Sequence, residues 1–170
     1  MCVLFSDCEP GWTYLAHTEM CYKHDSSKRI WQEALESCQN SISTHSATLA
    51  SIGDKTTHDF LSSISGSQWT WLGGFQDAEE NWHWIDRSDW TGFNNWGPGQ
   101  PDDHSNREHH LGLHHPSTGF WNDFQGHHHK AGSICQYADS TIESLGPSLS
   151  IPGDLLLTSA TEFSGGPGKK

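Results

Sequence analysis

Gln100, Asp102, Glu108, Asn122 and Asp123 are the side chains whose types and spacing suggest a chemistry. They come from two segments: Gly99-Gln100-Pro101-Asp102-Asp103 with Glu108 beyond it, and Trp121-Asn122-Asp123. Three are carboxylates, two are amides, and none carries sulfur. Ca²⁺ takes roughly six to eight hard oxygen donors of this kind. Pro101, set between two oxygen-bearing side chains, suits a rigid turn, and a cis bond before it would aim Gln100 and Asp102 the same way. The sequence leaves the isomer open.

The rest of the composition is consistent with a cation as partner. The formal charge is −12, whereas nucleic acids and anionic membranes demand clustered Lys and Arg. A chain of 170 residues is one domain with a tail by the usual size prior. Nine Trp and seven Phe supply core volume, yet only 33% of residues are hydrophobic and Gly numbers 17, which points to a loop-rich fold that needs cross-links. Cys2, Cys8, Cys21, Cys38 and Cys135 lack the Cys-x-x-Cys spacing of zinc and redox sites and fit a disulfide framework with one left over. The sequence holds no apolar run near the roughly 18 to 20 residues of a membrane span. Met1 to Phe5 is too short for a signal peptide, so secretion requires a signal that has been removed or lies outside this sequence.

The elements that must position the site follow from local pattern. Cys8 to Tyr22 reads as a small hairpin. Ser26-Ser27 is expected to cap a helix whose Ile30, Trp31, Ala34, Leu35 and Cys38 recur at helical spacing. Leu49 to Ile52 reads as a short strand, and Asp54 as the cap of a half-exposed second helix carrying Phe60, Leu61 and Ile64. Gln68 to Gly74 is expected to be the central strand, with Trp69, Trp71 and Leu72 in the core. Asn81 to Asp86 places Trp82 and Trp84 on one face and His83 on the other. From Arg87 to Glu108 there is no periodicity, and so long a loop inside a compact domain marks function, here one that a metal can order. Leu111 to Leu113, Phe120 to Trp121 and Ser133 to Tyr137 supply the closing strands. Beyond Tyr137, the Ser, Thr, Gly and Pro content reads as a disordered tail.

Trp71-Leu72-Gly73-Gly74, Gln100-Pro101-Asp102, Glu108, Trp121-Asn122-Asp123 and Cys135, in that order, resemble the C-type lectin domain over roughly residues 8 to 137. The resemblance implies an α+β fold, with two helices flanking antiparallel sheets and a long calcium-binding loop. Residues 1–7 are then an N-terminal extension and 138–170 the tail. It also implies Cys8–Cys21 and Cys38–Cys135 disulfides, worth about 3 and about 4.7 kcal/mol by chain entropy. Cys2 remains as a free thiol or an intermolecular link that would make a homodimer. Gln100, Asp102, Glu108, Asn122 and Asp123 would hold one Ca²⁺ whose shell is completed by two vicinal sugar hydroxyls, each giving its proton to a carboxylate and accepting from an amide. Gln-Pro-Asp goes with galactose or N-acetylgalactosamine in this family and Glu-Pro-Asn with mannose. His104 stands where galactose-type members tend to place a Trp over the sugar's apolar face.

The sequence departs from the family pattern elsewhere. His110 and Gly126 stand where a further inner disulfide is expected, which removes a staple of about 2–4 kcal/mol. A second Ca²⁺ would use Asp103, one of Asp77, Glu79 and Glu80, and an acid where His109 now sits. Thirteen histidines include His104, His109, His110, His114, His115 and His127 to His129 near the site in sequence. The simplest reading is solvated loop residues. The functional readings are an acid-triggered release through His104 or His109, and a Zn²⁺ site joining His110 to one of His127–His129. The sequence lacks a Gly-x-Ser-x-Gly elbow, a His-Glu-x-x-His helix and a phosphate-cradling Gly loop, so it does not read as an enzyme. The leading expectation is an extracellular glycan-recognition or agglutination module. The rivals on the same fold are an ice-binding protein and a protein-binding domain without sugar activity.

Overall fold

In a computed structural model the described residues are 8–66, 69–90, 92–113 and 119–139. Cys2, His114, His115 and the expected tail beyond Asp139 lie outside them. The described residues form eight strands and two helices, both helices in the first half of the order. These elements are β1 Thr13–Leu15, β2 Met20–Arg29, α1 Trp31–Gln39, β3 Thr48–Leu49, α2 Lys55–Ile64, β4 Thr70–Gln76, β5 Trp82–Trp84, β6 His110–Leu113, β7 Trp121–Phe124 and β8 Ala131–Ala138. The strands join in one sheet of order β1-β2-β8-β4-β6-β7, with β3 on β8 and β5 on β4. The antiparallel pairing expected from the resemblance holds for every strand pair but one. β4 and β8 run parallel, Thr70 opposite Gly132 and Trp71 opposite Ser133, so the sheet is mixed.

The two disulfides are Cys8–Cys21 and Cys38–Cys135. The first ties the entering chain to β2, and the second ties α1 to β8. Apolar side chains fill the space beneath them: Trp31, Ala34, Leu35 and Cys38 of α1 pack on Leu49, Trp71 and Phe124, while Leu61 of α2 joins Tyr22, Ile52, Leu72, Trp84 and Trp121. Asp54 caps α2 as expected, its carboxylate accepting from the Thr57 N–H at 2.9 Å, which satisfies one orphan donor of the first turn.

Four expectations are corrected. Ser26 and Ser27 do not cap α1, because they lie within β2, whose pairing with β8 continues past an irregularity between Asp25 and Arg29. The Asp25 carboxylate takes the Ser27 N–H at 2.9 Å and Arg29 at 2.7 Å, so the polar run serves a bulge, and the helix begins after Ile30. Trp69 is not core. It is 37% exposed and precedes β4, while Trp71 and Leu72 are buried. The short strand expected at Leu49 to Ile52 is only Thr48–Leu49, and Ile52 is buried without belonging to it. β7 runs to Phe124, so Asn122 and Asp123 sit inside a strand and not after it, paired with Gly112 and Leu111 of β6. Ladder hydrogen bonds use only the backbone and do not register that these side chains are polar.

Candidate metal and carbohydrate site

The two donor segments meet where β7 runs beside the loop that precedes β6. The Trp121 N–H donates to the Asn95 carbonyl at 2.9 Å, and the Gly97 N–H donates back to the Trp121 carbonyl at 2.9 Å. Gln100 N–H then closes a turn onto the Gly97 carbonyl at 2.9 Å. The Gln100–Pro101 bond is cis. Beyond it Asp103, Ser105 and Asn106 take positive φ angles of 41°, 63° and 53°, a region that Asp and Asn tolerate better than most side chains. These bends fold the loop back on itself: the Asp103 carboxylate accepts from the Glu108 N–H at 2.9 Å and the Asp103 carbonyl from the Asn106 N–H at 2.8 Å.

Asp123 is the hinge between the segments. Fully buried, it accepts from the Asp103 N–H at 2.8 Å and the Asp102 N–H at 3.3 Å. One carboxylate oxygen from each of Asp102, Glu108 and Asp123 lies within 4.8 Å of the other two. Asp102 is exposed, Glu108 half-buried and Asp123 buried, so the group opens at the surface. Three like charges at that spacing repel, and burial adds to it. Burial first, then Asp123 and Asp102, push the Glu108 carboxyl above its ordinary range against a hydrogen bond from the His104 backbone. Burial likewise raises Asp123, opposed by the two backbone N–H groups and reinforced by Asp102. A cation among them would reverse both effects.

Gln100 and Asn122 flank the acids in sequence. Gln100 Oε1 is buried and makes no hydrogen bond, an orphaned acceptor of the kind a ligand satisfies. The Asn122 amide donates to the Asp123 carbonyl at 3.0 Å. His104 is exposed and its charge acts on Glu108. The donor set, all oxygen and partly anionic, fits a hard divalent cation and suits neither zinc nor copper.

The other expected metal residues are arranged differently. Gln76, Asp77, Glu80, Asp103 and His109 line one cleft, but polar atoms of Gln76, Asp77, Asp103 and His109 are engaged. His109 Nδ1 is 3.0 Å from Gln76 Oε1, and Asp77 binds the N–H groups of Glu79 and Asn81 together with His83 Nε2 at 2.6 Å. Glu79 does not line that cleft. Among the described residues no third ligand atom converges with His110 and one of His127–His129. His110 is packed on Trp31 with ring centroids 4.5 Å apart, His129 lies against Phe124, His127 and His128 face solvent, and the acidic trio is the one place among the described residues where three such ligand atoms converge. His110 does adjoin Gly126 as the resemblance implied, since a Cβ on residue 126 would overlap its ring.

Another cleft lies between the start of α2 and the chain after β5, lined by Ser51, Asp54, Asp86 and Gln136 among others. Two of its acids serve structure. Asp86 accepts from Ser51, Ser88 and Gln136, and Asp54 caps α2. Sequence reasoning missed His58. Its ring is buried on α2, and its Nε2 lies 2.7 Å from the Gly119 carbonyl, beside the two donor segments. A His on the helix face shared with Leu61 was the available signal.

Comparison with known proteins bears on all of this. The human C-type lectin domain family 10 member A is 37% identical over 122 residues, which are 68% of this chain and 36% of that protein. Asialoglycoprotein receptor 1 of Rattus norvegicus is 37% identical over 109 residues, 61% of this chain and again 36% of the relative. The chain thus spans about a third of the length of these relatives. Among solved structures, the cow C-type carbohydrate-recognition domain of CD23, crystallised in the presence of GlcNAc2Man3 oligosaccharide, superposes with a TM-score of 0.68 at 26% identity, over 78% of this chain and 96% of that one. A calcium-independent type II antifreeze protein shares the fold with a TM-score of 0.68 at 23% identity, over 77% and 94%. The family model for the lectin C-type domain matches residues 27–137, and the chain belongs to that family.

Proposed function

We propose that this chain is a calcium-dependent carbohydrate-binding domain with preference for terminal galactose or N-acetylgalactosamine, acting outside the cell in glycan recognition. The observation that carries the reading is the convergence of Asp102, Glu108 and Asp123 from two segments at an open rim, with their charges unbalanced. In this reading Gln100, Asp102, Glu108, Asn122 and Asp123 hold one Ca²⁺ and His104 borders the sugar. Bound calcium would supply coordination positions for two sugar hydroxyls, while the carboxylates accept the hydroxyl protons and the amides donate to the hydroxyl oxygens. The Gln100-Pro101-Asp102 order, which goes with galactose-type sugars in this family, supports that preference. Two disulfides support an oxidising compartment. The reading is of binding and not catalysis, since the site pairs no nucleophile with a base.

Calorimetric titration of calcium, alone and with galactose or mannose, tests the proposal. It expects a calcium heat, a melting point raised by calcium, and galactose binding abolished by EDTA. Absence of any calcium heat at millimolar concentration overturns it. Thermal hysteresis without sugar binding would transfer the fold to the ice-binding reading.

A further inference from the structure

We infer that His58, on helix α2, is a positioning residue for the calcium and sugar rim, a role that rests on the binding reading above. The ring is 6% exposed and sits between Phe93 and Trp121, with centroids 5.4 and 6.3 Å away. Its Nε2 is 2.7 Å from the Gly119 carbonyl, and the Asn95 side-chain nitrogen is 2.7 Å from the same oxygen. Asn95 Nδ2 also lies 3.2 Å from His58 Nε2. Two nitrogens converging on one carbonyl fix the arrangement: Nε2 carries the proton, both groups donate to Gly119, and the oxygen uses both lone pairs.

The consequence lies in what Gly119 and Asn95 belong to. Gly119 leads into β7, which displays Asn122 and Asp123; Asn95 leads into the turn that displays Gln100 and Asp102. Asn95 holds Trp121 through its own carbonyl as well. His58 therefore ties Gly119 to α2, and the same Gly119 carbonyl holds the Asn95 amide, so both donor segments are joined to the helix through one oxygen. Gly119 takes a φ of +62° and a Cβ there would meet His58 Cε1 at 3.1 Å, so the close approach depends on glycine. Partners that orient metal ligands from outside the coordination shell typically contribute about 10- to 100-fold in metal affinity.

The test compares the parent with His58→Phe, which fills the ring's volume without an N–H, and His58→Gln, which restores a donor. Two readouts are used: amide hydrogen exchange at Gly97 and Trp121 in EDTA, and calcium affinity by calorimetry. The expected result is faster exchange at both amides and calcium binding weakened about tenfold or more in His58→Phe, with most of the loss recovered in His58→Gln. If the parent binds calcium and His58→Phe binds it equally well, the inference is overturned while the binding reading stands. If the parent binds no calcium, both fall, and the exchange data report only on loop anchoring. A His58→Phe variant with the parent's exchange pattern overturns the inference by itself.

Discussion

The His110 imidazole lies over Gly126 so closely that residue 126 has no room for a side chain. An aromatic ring held against Trp31 thereby takes the place of a covalent link between β6 and the chain after β7. Gly126→Ala should force the ring aside and cost about 1–3 kcal/mol, an overpacking penalty measurable by chemical denaturation. The paired change His110→Cys with Gly126→Cys should instead close a disulfide and add about 2–4 kcal/mol. Two extra free thiols in the folded double variant would show that the two positions do not meet as described.

Acid should loosen this contact. Burial, followed by His109 and His127, pushes the His110 imidazole down to about 4, below the ordinary histidine value near 6.5. The neutral ring is the folded form, so the contribution is present above pH ~6.5. It is lost as pH falls toward ~4, where the unfolded chain takes up a proton that the folded chain refuses. The span amounts to at most roughly 3 kcal/mol. Unfolding curves in EDTA between these limits should be steeper in pH for the parent than for His110→Phe. Equal slopes would assign the acid sensitivity to other groups.

Glu108→Gln separates function from stability in an unusual direction. In the proposed site, calcium affinity should fall by roughly tenfold or more when this carboxylate becomes an amide. Without calcium the variant should melt no lower than the parent, because the folded protein raises the Glu108 pKa and so disfavours its charge. Thermal melts with EDTA and with excess calcium make the comparison. At a hundredfold excess over the dissociation constant, calcium adds about 2.7 kcal/mol to a protein that binds it. A calcium-free variant that melts well below the parent would show that the carboxylate also has a structural role.

Exchanging Gln100→Glu together with Asp102→Asn keeps the ligand count and charge but reverses which side offers acceptors. Sugar competition should then shift from galactose toward mannose with calcium affinity largely kept. An unchanged galactose preference would place selectivity outside these two residues, with His104 the first candidate.

The elements that position the rim were legible where pattern and physics coincide. Asp54 announced α2 because a short acid before a helical run meets the unsatisfied N–H groups. Trp82 and Trp84 announced β5 by alternation. Ser26-Ser27 misled because the same hydroxyl residues that cap helices also appear in bulged strands. Trp69 misled because a tryptophan's size says nothing of where a strand begins. In the site, the order of acids and amides along two segments could be read directly. The parallel backbone bridge between Trp96 and Trp121, which brings the segments together, involves no side-chain pattern and left no trace in the sequence. The His58 contact left only a His on the apolar face of α2, because its partner lies 61 positions away.

Both described disulfides end on β2 or β8, and neither reaches β6, β7 or the chain from 92 to 108. The molecule is therefore a covalently locked base carrying a rim that only non-covalent forces and an ion would hold. Proteases given the protein in EDTA should cut first between Asn94 and Glu108, leaving the base whole. A protein built this way can exchange the residues that choose its ligand without endangering the part that keeps it folded.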